Sequence, residues 1–219
     1  MLTQIYEITS PEEAQALSRI GIDHIGILVG EGAFPREIPI GRAREIMNAI
    51  EPPSKASVLT LAPDIASVRA LVDALRPPIL HIGSQLDEIG ISDVRSLKTS
   101  FPGVAIMRSI PVSGRESLSL AKSWDGAADF LLLDTYRAED RQFGALGITH
   151  DWALDRAIVE AVAIPVIIAG GLGPENVADA IRAIRPTGVD SKTRTDKSDG
   201  SHTKDLEKVR AFTAAVRAA

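Results

Sequence analysis

The chain of 219 residues contains no cysteine. Disulfide bonds, thiolate metal ligands and cysteine nucleophiles or bases are therefore excluded. Aromatic residues make up only 4% of the sequence, although 45% of it is hydrophobic. A core built from this chain must therefore consist mainly of isoleucine, leucine, valine and alanine.

Several other features are also absent. No apolar run approaches the ~18 residues that a membrane-spanning helix needs, and the N-terminus lacks the positively charged start of a signal peptide. The formal net charge of −5 provides no basic excess for binding nucleic acid. We therefore expect a cytoplasmic protein that binds neither membrane nor nucleic acid. The four histidines are not spaced as metal ligands, and we expect no metal and no cofactor.

Eight short apolar segments recur along the chain, at residues 4–8, 24–30, 57–62, 78–83, 104–110, 129–134, 165–170 and 187–191. Most are nearly continuous in valine, isoleucine and leucine, as parallel strands covered on both faces require. Helix-length amphipathic segments separate them. The pattern predicts an α/β fold, a single-domain (βα)8 TIM barrel over residues 1–219. An open doubly wound sheet is the alternative, but no Gly-x-Gly-x-x-Gly turn follows the first strand.

Catalytic groups of such barrels lie where the strands end. Asp134 closes an apolar run, where a carboxylate is costly unless it is paired or used. Tyr6 and His81 are further catalytic candidates, although strand parity alone does not tell which way His81 points. Arg36 and Arg108 are predicted to bind substrate, because a guanidinium matches a carboxylate with two hydrogen bonds.

A paired glycine follows the seventh predicted strand, and Pro174 is expected to open the next helix. Backbone amides at a helix N-terminus favour an anion, most simply a phosphate. The polar segment 191–204 is expected to form a mobile loop after the last strand. We predict that phosphate binds between two turns, formed by Gly170, Gly171 and Leu172 and by Asp190, Ser191 and Lys192.

Four segments together resemble the phosphoribosylanthranilate isomerase family. The segment AGGLGPENVADAI is similar to the family's phosphate-binding signature, and GALGITHDW (144–152) to its Gly-x-x-Gly-Lys-Thr-Phe-Asp-Trp loop. FLLLDT (130–135) resembles the strand that carries the general acid, and KDLEKVRAF (204–212) the closing helix. The resemblance implies the Amadori-type isomerisation of a phosphorylated sugar derivative in tryptophan biosynthesis. It also implies that Asp134 is the acid and that Arg36 grips the anthranilate carboxylate.

The first strand departs from the family pattern. The family begins Lys-x-Cys-Gly, with the cysteine as general base, whereas this chain has Gln4, Tyr6 and Glu7 at the lysine, cysteine and glycine positions. The base is left open among Tyr6, His81 and Glu7, of which Glu7 is expected on the opposite strand face from Tyr6. The family's lysine in Gly-Lys-Thr is Ile148 here, and its Ser-Ser-Gly-Val-Glu turn is replaced by residues 191–195.

Two alternatives to the isomerase remain at this stage. One is a lyase or epimerase that acts on another phosphosugar, and the other is a non-catalytic barrel that binds a phosphosugar. The fold alone does not decide among them, because one barrel supports many chemistries. The expected partner in each case is a phosphorylated small molecule. A homodimer is one expectation for the assembly, but the sequence does not locate an interface.

Overall fold

The computed structural model describes residues 1–137, 142–143 and 151–219. Strands and helices alternate along the chain in the predicted order. The strands are β1 (Leu2–Ile5), β2 (His24–Leu28), β3 (Lys55–Thr60), β4 (Ile79–Ile82), β5 (Ala105–Val112), β6 (Phe130–Arg137), β7 (Gln142–Phe143), β8 (Val166–Ile168) and β9 (Gly188–Ser191). The helices are α1 (Pro11–Ile20), α2 (Ile40–Ala49), α3 (Ile65–Leu75), α4 (Ile91–Ser100), α5 (Glu116–Trp124), α6 (Trp152–Ala161), α7 (Val177–Ile184) and α8 (Leu206–Ala218).

Eight of the strands form a closed parallel barrel. The hydrogen-bonded order runs β5-β4-β3-β2-β1-β9-β8-β6, and pairing between β5 and β6 closes the ring. The two-residue strand β7 pairs antiparallel with the end of β6 and lies outside the ring. The predicted (βα)8 architecture is confirmed.

Local sequence sets the helix starts. The Ser10 side chain accepts a hydrogen bond from the Glu13 amide, and Pro11 occupies the first turn of α1. The expected start of α7 at Pro174 is wrong, since the helix begins at Val177. The preceding residues instead form a turn in which the Asn176 side chain accepts from the Gly173 amide at 2.8 Å.

Side chains alternate between the barrel interior and the helix layer. The interior holds a small apolar cluster that includes Tyr6, Met107, Leu132 and Ile167. The opposite faces of the same strands pack against the helices in the main core. Since both faces are buried, alternation in polarity does not mark the interior face of these strands.

The segment after β9 is more ordered at its ends than predicted. Thr193–Thr195 forms a 3-10 turn, and Asp196 pairs with Lys204 through a β-bridge. The buried Lys204 ammonium contacts the Asp196 carboxylate at 2.5 Å and the Lys192 carbonyl at 3.2 Å. The expectation of a mobile loop over all of 191–204 is therefore wrong at these anchored ends. In the described residues no helix is both long and apolar enough to span a membrane.

Candidate active site

A cavity of about 850 Å³ opens at the carboxyl ends of the barrel strands. Its wall is apolar beside β2 and β3, where Leu28, Phe34, Pro35, Leu61 and Pro63 line it. Its opposite side is polar and is formed by the ends of β6, β8 and β9. The cavity can therefore take a ligand that is charged at one end and apolar at the other.

Two carboxyl groups face the cavity from the same layer of the barrel. Leu133 on β6 pairs with Ile168 on β8, and Ile168 pairs with Val189 on β9. Asp134 directly follows Leu133 and Asp190 directly follows Val189, so the two aspartates lie at the same level of the barrel. Between them, directly after β8, comes Ala169, which is small and buried. Burial, together with the nearby Asp134 charge, raises the pKa of Asp190 to about 8. Asp190 therefore holds a proton at neutral pH, and it is better suited to donate a proton than to bind a phosphate.

Tyr6 and His81 form a buried hydrogen-bond chain across the barrel. The Tyr6 hydroxyl lies 2.8 Å from Ser57 Oγ and 2.6 Å from His81 Nδ1, and His81 Nε2 lies 2.7 Å from Ser109 Oγ. Burial raises the pKa of Tyr6 well above its usual value of 10.0 and lowers the pKa of His81 to about 3. At pH 7 the Tyr6 phenol therefore keeps its proton and cannot act as a base. The His81 imidazole is unprotonated, but its lowered pKa makes it too weak a base to match the reaction.

Gly26 on β2 makes room for this chain. A Cβ atom at Gly26 would lie 2.1 Å from Cδ1 of the Tyr6 ring. The ring therefore packs directly on the backbone of β2, and its hydroxyl is directed toward Ser57 and His81.

Glu7 lies between two cations at the cavity edge. Its carboxylate contacts Arg36 Nε at 2.5 Å and Lys192 Nζ at 2.8 Å, and its side chain is only 11% exposed. Glu7 follows the end of β1 and has φ +65°, so strand alternation no longer applies to it. The expectation that Glu7 faces away from the site is therefore wrong. The left-handed φ also suits the glycine that the resembled family has at this position.

The two turns predicted to hold phosphate are adjacent. Ser191 Oγ donates to the Leu172 carbonyl at 2.7 Å and joins the turns. Gly170 and Gly171 both have positive φ, at 86° and 60°, and so need glycine. Leu172 itself is buried, so it offers this corner only its backbone. The Arg194 guanidinium also lines the cavity, where it pairs with the half-exposed Glu175.

Arg108 is not part of this site, contrary to the sequence-based prediction. It lies on β5 between Met107 and Ser109, which face the barrel interior, and so it points toward the helices. Its fully buried guanidinium donates to the Ile82 carbonyl at 2.6 Å and stacks over the Trp124 ring at 5.3 Å. Arg108 therefore has a structural role, in which it ties β5 to β4 and to Trp124 of α5.

Sequence reasoning thus found Tyr6, His81, Asp134 and the two turns that line the cavity, but it missed the apolar wall and the placement of Glu7. The sequence did carry a signal for this placement. The resembled family has glycine at the position of Glu7, and a glycine at a strand end often indicates a left-handed backbone. Residues 144–150 of the resembled loop lie outside the described residues.

A closed (βα)8 barrel with a carboxyl pair, a glycine-rich turn and a second turn beside it at its carboxyl-terminal face defines a barrel of the phosphosugar-enzyme type. A family model described as N-(5'phosphoribosyl)anthranilate (PRA) isomerase matches residues 86–215. An N-(5'-phosphoribosyl)anthranilate isomerase of Methanocella arvoryzae is 37% identical over 211 residues, which cover 95% of this chain and 94% of the relative. The chain therefore belongs to the phosphoribosylanthranilate isomerase family.

Solved structures agree on the fold. The N-(5'-phosphoribosyl)anthranilate isomerase of Pyrococcus furiosus superimposes with a TM-score of 0.81 at 24% identity, covering all of both chains. Another phosphoribosyl anthranilate isomerase, solved in complex with reduced 1-(o-carboxyphenylamino)-1-deoxyribulose 5-phosphate, gives a TM-score of 0.79 at 20% identity, again over the whole of both chains.

Proposed function

We propose that this protein catalyses an Amadori-type isomerisation, in which a phosphorylated N-glycosylamine of aldose form becomes the aminoketose. The observation that carries the proposal is the pair of carboxyls of Asp134 and Asp190, which line the cavity from neighbouring positions of the barrel, with the pKa of Asp190 raised to about 8. Membership of the isomerase family supports the same reaction type.

The reaction needs one proton donor and one acceptor. The protonated carboxyl of the pair gives its proton to the ring oxygen, and the C1–O bond breaks while the nitrogen lone pair forms a C1=N bond. The ionised carboxyl then removes the proton from C2. The C–H electrons form a C1=C2 bond and return the nitrogen electron pair, giving an enolamine that tautomerises to the aminoketose. A pair of interacting carboxyls suits this sequence because Asp190 keeps its proton to a higher pH than an isolated carboxyl does.

The binding roles follow from the two sides of the cavity. We propose that the phosphate lies at the turns of Gly170–Leu172 and Ser191–Arg194, with Lys192 as a charged contact. Asp190, expected from the sequence to be a phosphate contact, is proposed instead as the proton donor because its pKa is raised. Asp134, expected from the sequence to be the acid, is then proposed as the acceptor. Tyr6 and His81 become positioning residues that hold the floor of the cavity.

That the protein forms a homodimer stays a prediction.

The test is an assay for ketose formation from phosphoribosylated amines by the unmodified protein and by Asp134→Asn and Asp190→Asn variants. Each variant should lose about 10²–10⁴-fold in kcat while keeping its thermal midpoint, since the amide retains the shape but can neither donate nor accept the transferred proton. Asp179→Asn, on the exposed face of α7, is the matched control. Unchanged turnover in either site variant would remove that carboxyl from the mechanism.

The pH profile gives a second readout of the same proposal. Because the folded pKa of Asp190 is raised to about 8, its proton is present below that pH and is lost above it. Activity should therefore decline as the pH rises through about 8. A rate that stays level to pH 10 would show that Asp190 is not the donor.

A further inference from the structure

The amide side chain of Gln4 faces the carboxyl of Asp190 inside the barrel. Gln4 on β1 pairs in register with Asp190 on β9, and it is fully buried. Tyr6, two residues further along the chain, belongs to the apolar cluster of the barrel interior, so strand alternation directs Gln4 inward as well. Gln4 therefore lies beside the proposed proton donor, on the neighbouring strand.

His24 fixes the direction of the Gln4 amide. Its Nδ1 atom lies 3.2 Å from Gln4 Oε1. Burial is the main cause that lowers the pKa of His24 to about 4, so its ring is neutral at pH 7 and carries a single N–H. With that hydrogen on Nδ1 the ring donates to Oε1, and Gln4 Nε2 is left as the end of the amide that faces Asp190.

Two polar atoms at this contact complete no hydrogen bond. Gln4 Nε2 and Asp190 Oδ1 are both buried, and neither has a hydrogen-bond partner among the described residues. A donor in this state gains most from an anion, because hydrogen bonds to ionised groups are roughly twice as strong as those between neutral groups. The Gln4 amide is thus better placed for the ionised form of Asp190 than for its protonated form.

The groups around Asp190 act on its ionisation in opposite directions. Burial, followed by the Asp134 charge, raises the pKa of Asp190 to about 8, and Glu7 adds to the rise. Gln4 is first among the groups that lower this pKa, ahead of the Lys204 ammonium.

The other ionisable neighbours are bound elsewhere or keep their proton. The Lys204 ammonium contacts Asp196 at 2.5 Å, and Lys192 contacts Glu7 at 2.8 Å. Burial raises the pKa of Tyr6 well above its usual value of 10.0, so its hydroxyl stays neutral. The amide on β1 is therefore the group placed to donate directly to the ionised donor.

We infer that Gln4 positions the proton donor of the reaction, because its amide N–H binds the Asp190 carboxylate once the proton has left. The inference rests on the proposed function, since it concerns the donor of the same isomerisation. The proton still passes from Asp190 to the ring oxygen of the substrate, and Gln4 keeps its own hydrogens. Gln4 acts through Asp190 and is not among the residues that line the cavity.

Carboxyl-carbon NMR of aspartate-labelled protein measures the ionisation of Asp190 directly, and Asp190→Asn identifies its signal. In Gln4→Met the titration midpoint should rise by about one pH unit or more, the equivalent of one hydrogen bond to a charged group. Gln4→Lys should lower the midpoint instead, because a cation beside a carboxyl favours the ionised form. Gln15→Met, on α1 outside the barrel, is the matched control and should leave it unchanged.

The pH profile of ketose formation is the second readout. In Gln4→Met the decline of kcat at high pH should move upward by the same interval. At neutral pH kcat should fall by up to about tenfold, because a carboxyl that holds its proton more tightly is a poorer acid. If Gln4→Met does not fold, Gln4→Asn replaces it, since the shorter side chain keeps an amide but withdraws it from Asp190.

The outcomes separate the two proposals. An Asp190 midpoint that stays in place in the Gln4 variants, with only the thermal midpoint lowered, overturns the inference and leaves the isomerase proposal standing. If the Asp190 midpoint moves but the pH profile of kcat does not follow it, Asp190 is not the donor. The proposed mechanism is then overturned, and the inference with it, although the contact between the two side chains is established.

Discussion

The two sides of the cavity differ in how closely they keep the family pattern. At β8 and β9 the chain retains paired glycines and adjoining turns, and at β6 it retains Asp134. At β1 it has Tyr6 and Glu7 where the family has cysteine and glycine. An anion site made of backbone amides tolerates changes in side chains, whereas proton transfer depends on one group with a suitable pKa. The β1 side is therefore where this chain departs in chemistry.

The largest expected effect on activity comes from restoring the family's cysteine and glycine at positions 6 and 7. The unmodified protein should turn over phosphoribosylanthranilate weakly, and Tyr6→Cys combined with Glu7→Gly should raise kcat/KM by about 10²-fold or more. Glycine frees Arg36 for the anthranilate carboxylate, and a thiolate with a pKa near ~8.5 is a far better base at neutral pH than a phenol. A coupled fluorescence assay of anthranilate consumption measures the effect.

The two single variants are the controls for this experiment. Glu7→Gly alone should mainly lower KM, whereas Tyr6→Cys alone should gain little while Glu7 still occupies Arg36. The comparison fails if the unmodified protein already turns over phosphoribosylanthranilate fast and loses that activity on replacement of Tyr6 or His81. Tyr6 or His81 would then be established as a substitute base.

A smaller effect is expected at the turns that follow β8 and β9. Lys192→Met should weaken the binding of inorganic phosphate by about tenfold, the equivalent of one hydrogen bond to a charged group. Calorimetry with phosphate alone measures the change, and Lys122→Met on the exposed face of α5 serves as the control. An unchanged Kd would place the anion elsewhere in the cavity.

Much of the fold could be predicted because its rules are repetitive. Nearly continuous apolar segments and the helices between them fixed the strand number and the barrel, and Ser10 with Pro11 marked the start of α1. The start of α7 was misplaced by three residues, since the side chain of Asn176 holds a turn that Pro174 alone does not indicate. The exact starts of these helices thus depend on contacts made by single side chains.

The site was harder to predict because a barrel strand is buried on both faces. Polarity near a strand end therefore does not show whether a residue faces the cavity or the helices, as the contrast between Asp134 and Arg108 illustrates. The partner that explains Arg108 is Trp124, on the following helix. The raised pKa of Asp190 also depends on a group distant in sequence, since Asp134 contributes to it.

The smallest effect on catalysis is expected at Arg108, although it was first predicted to bind substrate. Arg108→Met should lower the free energy of unfolding by about 1–3 kcal/mol, because the buried carbonyl of Ile82 loses its donor. Its KM for any accepted substrate should stay the same, since the guanidinium packs against Trp124 on the helix side of β5. Urea unfolding and steady-state kinetics test the two parts, with the exposed Arg95→Met as control. A raised KM at unchanged stability would return Arg108 to the cavity and contradict the interior alternation derived for β5.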